Sequence, residues 1–263
     1  MMTDSQIRFD DGAAYERMMG IWSRRVGEIF LDWLRLSTGQ KCVDIGCGNG
    51  AFTEMLVERC APAEVQGIDP SPEQIAFARA RHIAKVAEFR LGDAMALPFP
   101  DNRFDAATMA LVIFFVPEPA KGVAEMVRVV RPGGIVAAYA WDMLGGGYPM
   151  ELILAEVRAL GQKTLGPPSP EASRMESLRD LWTTAGLEVV ETRKITVQRT
   201  FANFDDFWTT STLSGSVRPT VAALSPGDLE LVKSRLRAKL PADATGCITH
   251  SSFANAVKGR VPK

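Results

Sequence analysis

Val43-Asp44-Ile45-Gly46-Cys47-Gly48-Asn49-Gly50 decides the reading of this chain. Lys41 to Ile45 has the alternating, β-branched pattern of a short buried strand. Beyond the glycines, Phe52, Met55, Leu56 and Cys60 recur at helical spacing, so the side-chain period switches across the turn. Glycine at 46, 48 and 50 lets the backbone take positive φ and lets a ligand approach the main chain with no Cβ in the way. Asp69 stands nineteen positions after Gly50, at the end of the next apolar run Val65-Gln66-Gly67-Ile68. A carboxylate there accepts both hydroxyls of a ribose, and the whole arrangement reads as a nucleotide-type cofactor site.

Working outward, strand patterns at 41–46, 64–69, 86–92, 104–111 and 134–141 alternate with helical patterns at 50–60, 72–84 and 118–131. Repeated strand-helix-strand units predict a parallel sheet. Ser71 followed by Pro72 and Glu73 reads as a capped helix start. The longest apolar stretch, Ala106 to Val116, falls short of the ~20 residues a membrane helix needs, and it reads as a central strand buried on both faces. Past residue 141, the glycines at 145–147 and the Gly166-Pro167-Pro168-Ser169-Pro170 segment punctuate the chain, with a helix expected near 149–160. A second helix at 174–185 ends at Gly186, a strand covers 187–198, and a last strand covers 246–257. Residues 199–243 are helix-rich and aromatic (Phe201, Phe204, Phe207, Trp208). Before the sheet, Tyr15, Met18, Met19 and Trp22, then Val26, Ile29, Phe30, Trp33 and Leu34, follow helical periodicity.

At 263 residues the chain suits one α/β domain with an insertion or a small cap. Its 30 Lys+Arg balance 31 Asp+Glu with no basic block, which makes nucleic acid a poor partner. Cys42, Cys47, Cys60 and Cys247 form no C-x-x-C pair, so they read as core or loop residues of a reduced, cytoplasmic protein with no metal site. The start Met1-Met2-Thr3-Asp4-Ser5-Gln6 lacks a basic-then-apolar export pattern.

In order along residues 40–142, the glycine stretch, Gly67-Ile68-Asp69-Pro70-Ser71, Gly92-Asp93-Ala94 with Leu97-Pro98-Phe99, Arg103-Phe104-Asp105 and the run Val127 to Gly134 form a consistent set. This set resembles the class I S-adenosylmethionine-dependent methyltransferases, of the small-molecule, ubiquinone/menaquinone-methyltransferase-like type. The resemblance implies a Rossmann-like α/β fold: a seven-stranded sheet in the order 3-2-1-4-5-7-6 with strand seven antiparallel, helices on both faces and a helical cap. It divides the chain into an N-terminal helical cover (1–36), a cofactor-binding core (37–198 and 244–263) and a helical insert over the substrate pocket (199–243). The cofactor implied is S-adenosyl-L-methionine, leaving S-adenosyl-L-homocysteine as product.

By the same resemblance, Gly46, Cys47 and Gly48 contact the methionine part of the cofactor, Asp69 with Pro70 holds the ribose, and Asp93 with Ala94 recognises adenine. Ala110, Leu111 and Val116 line the methionine end, and Tyr15 lies over the cofactor. Asp44 either reaches the cofactor's amino group or serves only to anchor backbone donors. Trp22, Phe115, Trp141, Asp142, Tyr148 and Trp208 are expected around the acceptor. Relatives often carry Leu-His-His after strand four, where this chain has Ile113-Phe114-Phe115. That difference favours an apolar acceptor and leaves the general base unnamed. His250 is the remaining candidate base, set against the structural role that a buried imidazole fills more often, and His82 reads as a surface residue. The expected activity is in-line methyl transfer to a small apolar or amphipathic metabolite, by a monomer or homodimer with no membrane span. A non-catalytic cofactor-binding protein is the alternative, and an NAD-dependent oxidoreductase is a more distant one.

Overall fold

The structure, a computed structural model, describes residues 16–213, 215 and 217–263. Seven strands form one sheet: β1 (Lys41–Ile45), β2 (Glu64–Asp69), β3 (Ala87–Leu91), β4 (Phe104–Ala110), β5 (Val130–Trp141), β6 (Glu188–Phe201) and β7 (Ile248–Arg260). Their order is β3-β2-β1-β4-β5-β7-β6, as the resemblance implies. β3, β2, β1, β4 and β5 pair in parallel, and β7 runs antiparallel to β5. The carboxyl ends of the five parallel strands therefore meet along one edge, where open α/β sheets bind ligands.

Local chemistry sets most element ends. Ser71 Oγ accepts from Gln74 N at 3.2 Å and Pro72 occupies the first turn, so the helix Pro72–Arg79 starts as expected. It stops five residues before the predicted 84, and a separate 3₁₀ turn follows at His82–Lys85. The reason is tertiary. Arg81 takes an extended conformation, and its guanidinium donates to Asn49 O and to Glu54 Oε2, both at 2.6 Å, tying the chain to the glycine turn and its helix. β5 begins at Val130 and not 134, because Val130 pairs with Phe104 across an irregularity before regular pairing starts at Ala106 and Ile135. β6 runs to Phe201, three residues into the expected insert, and β7 extends to Arg260, three past the expected end.

The chain divides into two compact units, with boundaries inside β6 and β7. The sheet unit comprises Arg24–Gly145, Pro168–Ile195 and Ala254–Lys263. On one face of its sheet Val43, Ile45, Met109, Val136 and Ala138 are buried with Val123, Met126, Leu178 and Trp182. Trp182 Nε1 donates to Val136 O at 2.9 Å, so that indole is satisfied. On the other face Tyr139 packs against Phe30 and Phe52 at centroid distances of 4.6 and 5.8 Å. Burying one such ring contributes roughly 1.5–3 kcal/mol.

The helical unit contains residues 16–23, Gly146–Pro167 and Thr196–Phe253. Its helices are Glu151–Ala159, Phe204–Ser211, Val217–Ala222 and Pro226–Lys239. Asn203 and Ser225 cap two of them through Asp206 N (2.9 Å) and Asp228 N (3.1 Å). Buried Glu156 pairs with Lys239 and Arg235, which hold its carboxyl below the usual range. Removing either cation would leave a buried charge short of partners.

Candidate active site

The turn after β1 is built from main-chain hydrogen bonds. Gly46 N and Cys47 N both donate to Ile68 O (2.7 and 3.0 Å), and Gly50 N donates to Cys47 O (2.9 Å). Gly46, Gly48 and Gly50 all have positive φ (72°, 52° and 83°), the region only glycine enters without cost. Two of them differ in what surrounds them. A Cβ on Gly46 would stand 2.5 Å from both methyls of Val112, whereas one on Gly48 would have only Gln74 Oε1 nearby, at 3.9 Å. Gly46 is closed by packing from the segment after β4, and Gly48 opens onto free space.

Asp69 joins that turn to the next. Its Oδ2 accepts from Gly48 N and its Oδ1 from Ser71 N, both at 2.9 Å. Burial raises its pKa, and the two main-chain bonds oppose the shift. Asp44, deeper in β1, is fully buried. Its Oδ2 accepts from Thr53 Oγ1 at 2.6 Å, while Oδ1 has no partner. Burial pushes its pKa up to about 7, the Thr53 bond pulls it down, and the Asp69 carboxylate raises it further. The partner of Oδ2 is a side-chain hydroxyl and not a backbone donor, and Oδ1 has no hydrogen-bond partner among the described residues. Cys47 is buried, and burial raises its thiol well above the usual range.

Asp93 is exposed. Its Oδ1 accepts from Met95 N (2.8 Å) and its carbonyl from Ala96 N (3.1 Å), which curls the segment after β3 beside half-buried Ala94. Two residues missed by sequence reasoning brace it. Glu125 Oε2 accepts from Leu97 N (2.7 Å), and Arg128 donates to Leu97 O (3.0 Å) and Phe99 O (2.8 Å). Arg128 stands in the run Val127 to Gly134 that carries the resemblance, but for a bracing role the sequence offered only acidic-basic spacing of three on a helix, which a solvated face shows equally. At the end of β4, Leu111 takes φ +61° and its N–H donates to Tyr139 O at 2.8 Å, turning the chain so that Val112 backs Gly46. Ala110 pairs with Tyr139 in register. Phe115 is half-buried against Phe114 (4.7 Å between centroids), and Val116 is buried with its carbonyl accepting from Ser169 Oγ at 2.8 Å.

At the end of β5, Trp141 is 2% exposed. Asp142 next to it accepts from Gly145 N (2.6 Å) and Asn255 Nδ2 (3.0 Å). Cys47, Asp44, Gly46, Gly48, Asp69, Pro70, Asp93, Ala94, Ala110, Leu111, Val116, Phe115, Trp141 and Asp142 thus all belong to the sheet unit.

Trp22, Tyr148, Trp208 and His250 belong to the helical unit, and Tyr15 lies outside the described residues. His250 Nε2 lies 3.0 Å from Pro149 O, and its ring meets Trp22 and Phe207 edge-on at 5.6 and 6.0 Å. Burial lowers its pKa. Those contacts are what a structural imidazole needs. Trp208 stacks on Phe204 (6.5 Å, 17°) beneath Lys233, and Tyr148 is half-buried. Glu54, Glu58 and His82 are grouped closely enough for a metal ion, yet Arg81 already occupies Glu54 and His82 is exposed.

Residues 43–138 match the family model described as a methyltransferase domain. The chain is 37% identical over 115 residues to a demethylmenaquinone methyltransferase of Thermus thermophilus, covering 43% of this chain and 50% of that one. It is 38% identical over 96 residues to a fatty-acid O-methyltransferase of Mycolicibacterium smegmatis, covering 36% and 35%. The chain spans about half the length of the curated relatives it matches, from 42% to 66% for three of them. Among solved structures it resembles Haemonchus contortus phosphoethanolamine N-methyltransferase 2 in complex with S-adenosyl-L-methionine (TM-score 0.57, 19% identity, 95% of this chain and 56% of that one). It also resembles the [4+2]-cyclase SpnF (TM-score 0.56, 22% identity, 90% and 81%). Residues 43–138 thus match a methyltransferase domain, and the chain is similar to S-adenosylmethionine-dependent methyltransferases in sequence and in sheet order.

Proposed function

We propose that this protein transfers the methyl group of S-adenosyl-L-methionine to a small, apolar or amphipathic acceptor. The observation that carries the reading is the glycine turn with its two carboxylates. Gly48 leaves room over the main chain, Asp69 is fixed beside it by two N–H donors, and buried Asp44 Oδ1 lacks a partner. That donor and acceptor set fits the cofactor: ribose hydroxyls on Asp69, the amino group near Asp44, and adenine beside Asp93 and Ala94. Gly46, Cys47, Pro70, Ala110, Leu111 and Val116 would shape the walls around it.

When bound, the cofactor supplies an electrophilic methyl on a sulfonium. The contribution of the chain is alignment and exclusion of water, worth up to ~7–11 kcal/mol when donor and acceptor are held in line. Phe115 and Trp141 supply apolar surface for the acceptor, and Asp142, held by Gly145 and Asn255, is fixed in one orientation. The similarity to quinone-type and fatty-acid methyltransferases supports an acceptor of that general character. We propose as well that segments 1–36 and 199–243 act as covers, that Tyr15 lies over the cofactor, and that Trp22, Tyr148 and Trp208 contribute to acceptor recognition. His250 is assigned a structural role, and the enzyme is placed in the cytoplasm. No described helix is long and apolar enough to cross a membrane.

Calorimetric titration tests the reading. S-adenosyl-L-methionine and S-adenosyl-L-homocysteine should bind and NAD should not, and the reverse result sinks it. Asp69→Ala removes hydrogen bonds to a charged group worth roughly 1.5–3 kcal/mol each, so cofactor affinity should fall at least about tenfold. Unchanged affinity in a folded variant removes Asp69 from the ribose.

A further inference from the structure

Among the described residues of the sheet unit, five buried side-chain atoms lack a hydrogen-bond partner: Gln40 Oε1, Asp44 Oδ1, Gln66 Oε1, Arg103 Nη1 and Trp141 Nε1. Gln66 and Arg103 sit in a network that engages their other atoms. Gln66 Nε2 donates to Glu64 (3.0 Å) and Glu88 (3.1 Å), and Arg103 Nη2 donates to both Glu64 oxygens (2.5 and 2.7 Å). Gln40 precedes β1. Only Asp44, next to last in β1, and Trp141, last in β5, stand toward the carboxyl ends of the strands, where ligands bind. They have opposite hydrogen-bonding character. Ionised Asp44 accepts, and an indole N–H can only donate.

Buried polar groups in folded proteins are nearly always paired, so an orphaned donor at a ligand edge needs an explanation. Leu111 N donates to Tyr139 O, and Trp141 lies two residues farther along β5, about 6.6 Å at ~3.3 Å per residue. Side chains alternate along a strand, so Trp141 shares the face of Tyr139, the one that carries Phe30 and Phe52. Trp182, in the same unit, needs no ligand: its N–H is satisfied by Val136 O.

We propose that the Trp141 indole N–H is a specificity-determining donor for the acceptor, taking a lone pair from an oxygen on an otherwise apolar molecule. This rests on the methyl-transfer reading. A hydroxyl, phenolate or carbonyl oxygen offers that lone pair. A protonated amine offers none and would leave the donor buried and unpaired, so the group selects oxygen-bearing acceptors over cationic ones. Trp141 positions the acceptor and takes no part in bond making.

Two apolar probes of matched shape, 2-naphthol and 2-methylnaphthalene, test this on protein saturated with S-adenosyl-L-homocysteine. The indole N–H signal of Trp141 should move downfield with 2-naphthol and stay in place with 2-methylnaphthalene. Wild type should prefer 2-naphthol by roughly three- to tenfold, as one hydrogen bond allows. Trp141→Phe should lose that preference while keeping its affinity for S-adenosyl-L-homocysteine. An indole signal that ignores 2-naphthol, as a trapped water or a packing role would give, overturns the proposal. So does a preference retained in the variant, or a failure of 2-naphthol to bind. Should Trp141→Phe not fold, the wild-type signal, assigned through the backbone, decides alone. Absence of S-adenosyl-L-homocysteine binding would sink the methyl-transfer reading itself; binding without an indole response sinks this inference only.

Discussion

The sheet unit and the helical unit contrast in how they hold their polar groups. In the sheet unit a carboxylate oxygen of Asp44 in β1 and the indole N–H of Trp141 at the end of β5 are buried with no partner among the described residues. In the helical unit the buried ionisable groups are paired, Glu156 with Lys239 and Arg235 and His250 with Pro149 O, and the buried atoms without a partner among the described residues are neutral: Trp22 Nε1, Ser23 Oγ and Ser211 Oγ. Orphaned polar atoms cost stability wherever they lie, and an unpaired atom of an ionisable group costs more than a neutral one. Among the described residues only the sheet unit leaves an atom of a buried ionisable side chain unpaired, and that is the unit we propose binds the cofactor.

The strongest challenge to this contrast is Gly46→Ala. The new Cβ would enter Val112 at 2.5 Å on a backbone with φ +72°, so the turn should lose roughly 2–4 kcal/mol of stability together with cofactor binding. Gly48→Ala has free space and should cost only about 1 kcal/mol, yet cofactor affinity should fall as steeply. Equal losses of stability on chemical denaturation would show that the two glycines do the same job.

Asp44 gives the next largest effect. Its folded pKa stands near 7 against an ordinary 3.8, so the folded protein binds a proton that the unfolded chain has released between those values. The contribution of Asp44 should be fully present below about pH 4 and decline by roughly 2–4 kcal/mol as pH rises from there to 7. Asp44→Asn should flatten that slope. A cationic amino group beside Asp44 favours its ionised form, so affinity for S-adenosyl-L-methionine should climb as pH rises toward 7. A pH-independent affinity would limit Asp44 to holding Thr53.

His250 should behave in the opposite sense. Burial lowers its folded pKa below the ordinary 6.5, so its contribution is present above that value and is lost as pH falls below it. His250→Asn should remove this acid sensitivity in a thermal-melt series and leave a measurable methyl-transfer rate. Loss of all activity in a folded variant would restore its candidacy as a base. The smallest effect concerns the aromatic segments 1–36 and 199–243. Amide exchange there should slow when cofactor and acceptor are both present, and protection confined to residues 46–50 would assign those segments to packing alone.

Particular residues show how far the sequence could be read. The strand-to-helix change of period at Gly46, the capped start at Ser71 and the apolar run through β4 are local signals that predict a parallel sheet, and its strand order is the one the family resemblance implies. Element ends were less legible: Arg81 ended its helix early by reaching Asn49 and Glu54, and Val130 began β5 early by pairing with Phe104. Neither contact is adjacent in sequence. Glu125 and Arg128 bracing the segment after Asp93 looked like any exposed ion pair on a helix.

What the sequence alone determined is the order of elements, the glycine turn and the acidic residues at strand ends, because periodicity, positive φ and capping act over a few neighbouring residues. Tertiary structure decided the rest. Gly46 is closed by Val112, sixty-six positions on, while Gly48 stays open. Among the described residues, Asp44 has a partner for one oxygen, Thr53, and none for the other, and Trp141 is buried without an acceptor for its N–H while Trp182 finds one. Whether a buried polar atom finds a partner depends on which distant chain segments pack around it, and no local pattern carries that information.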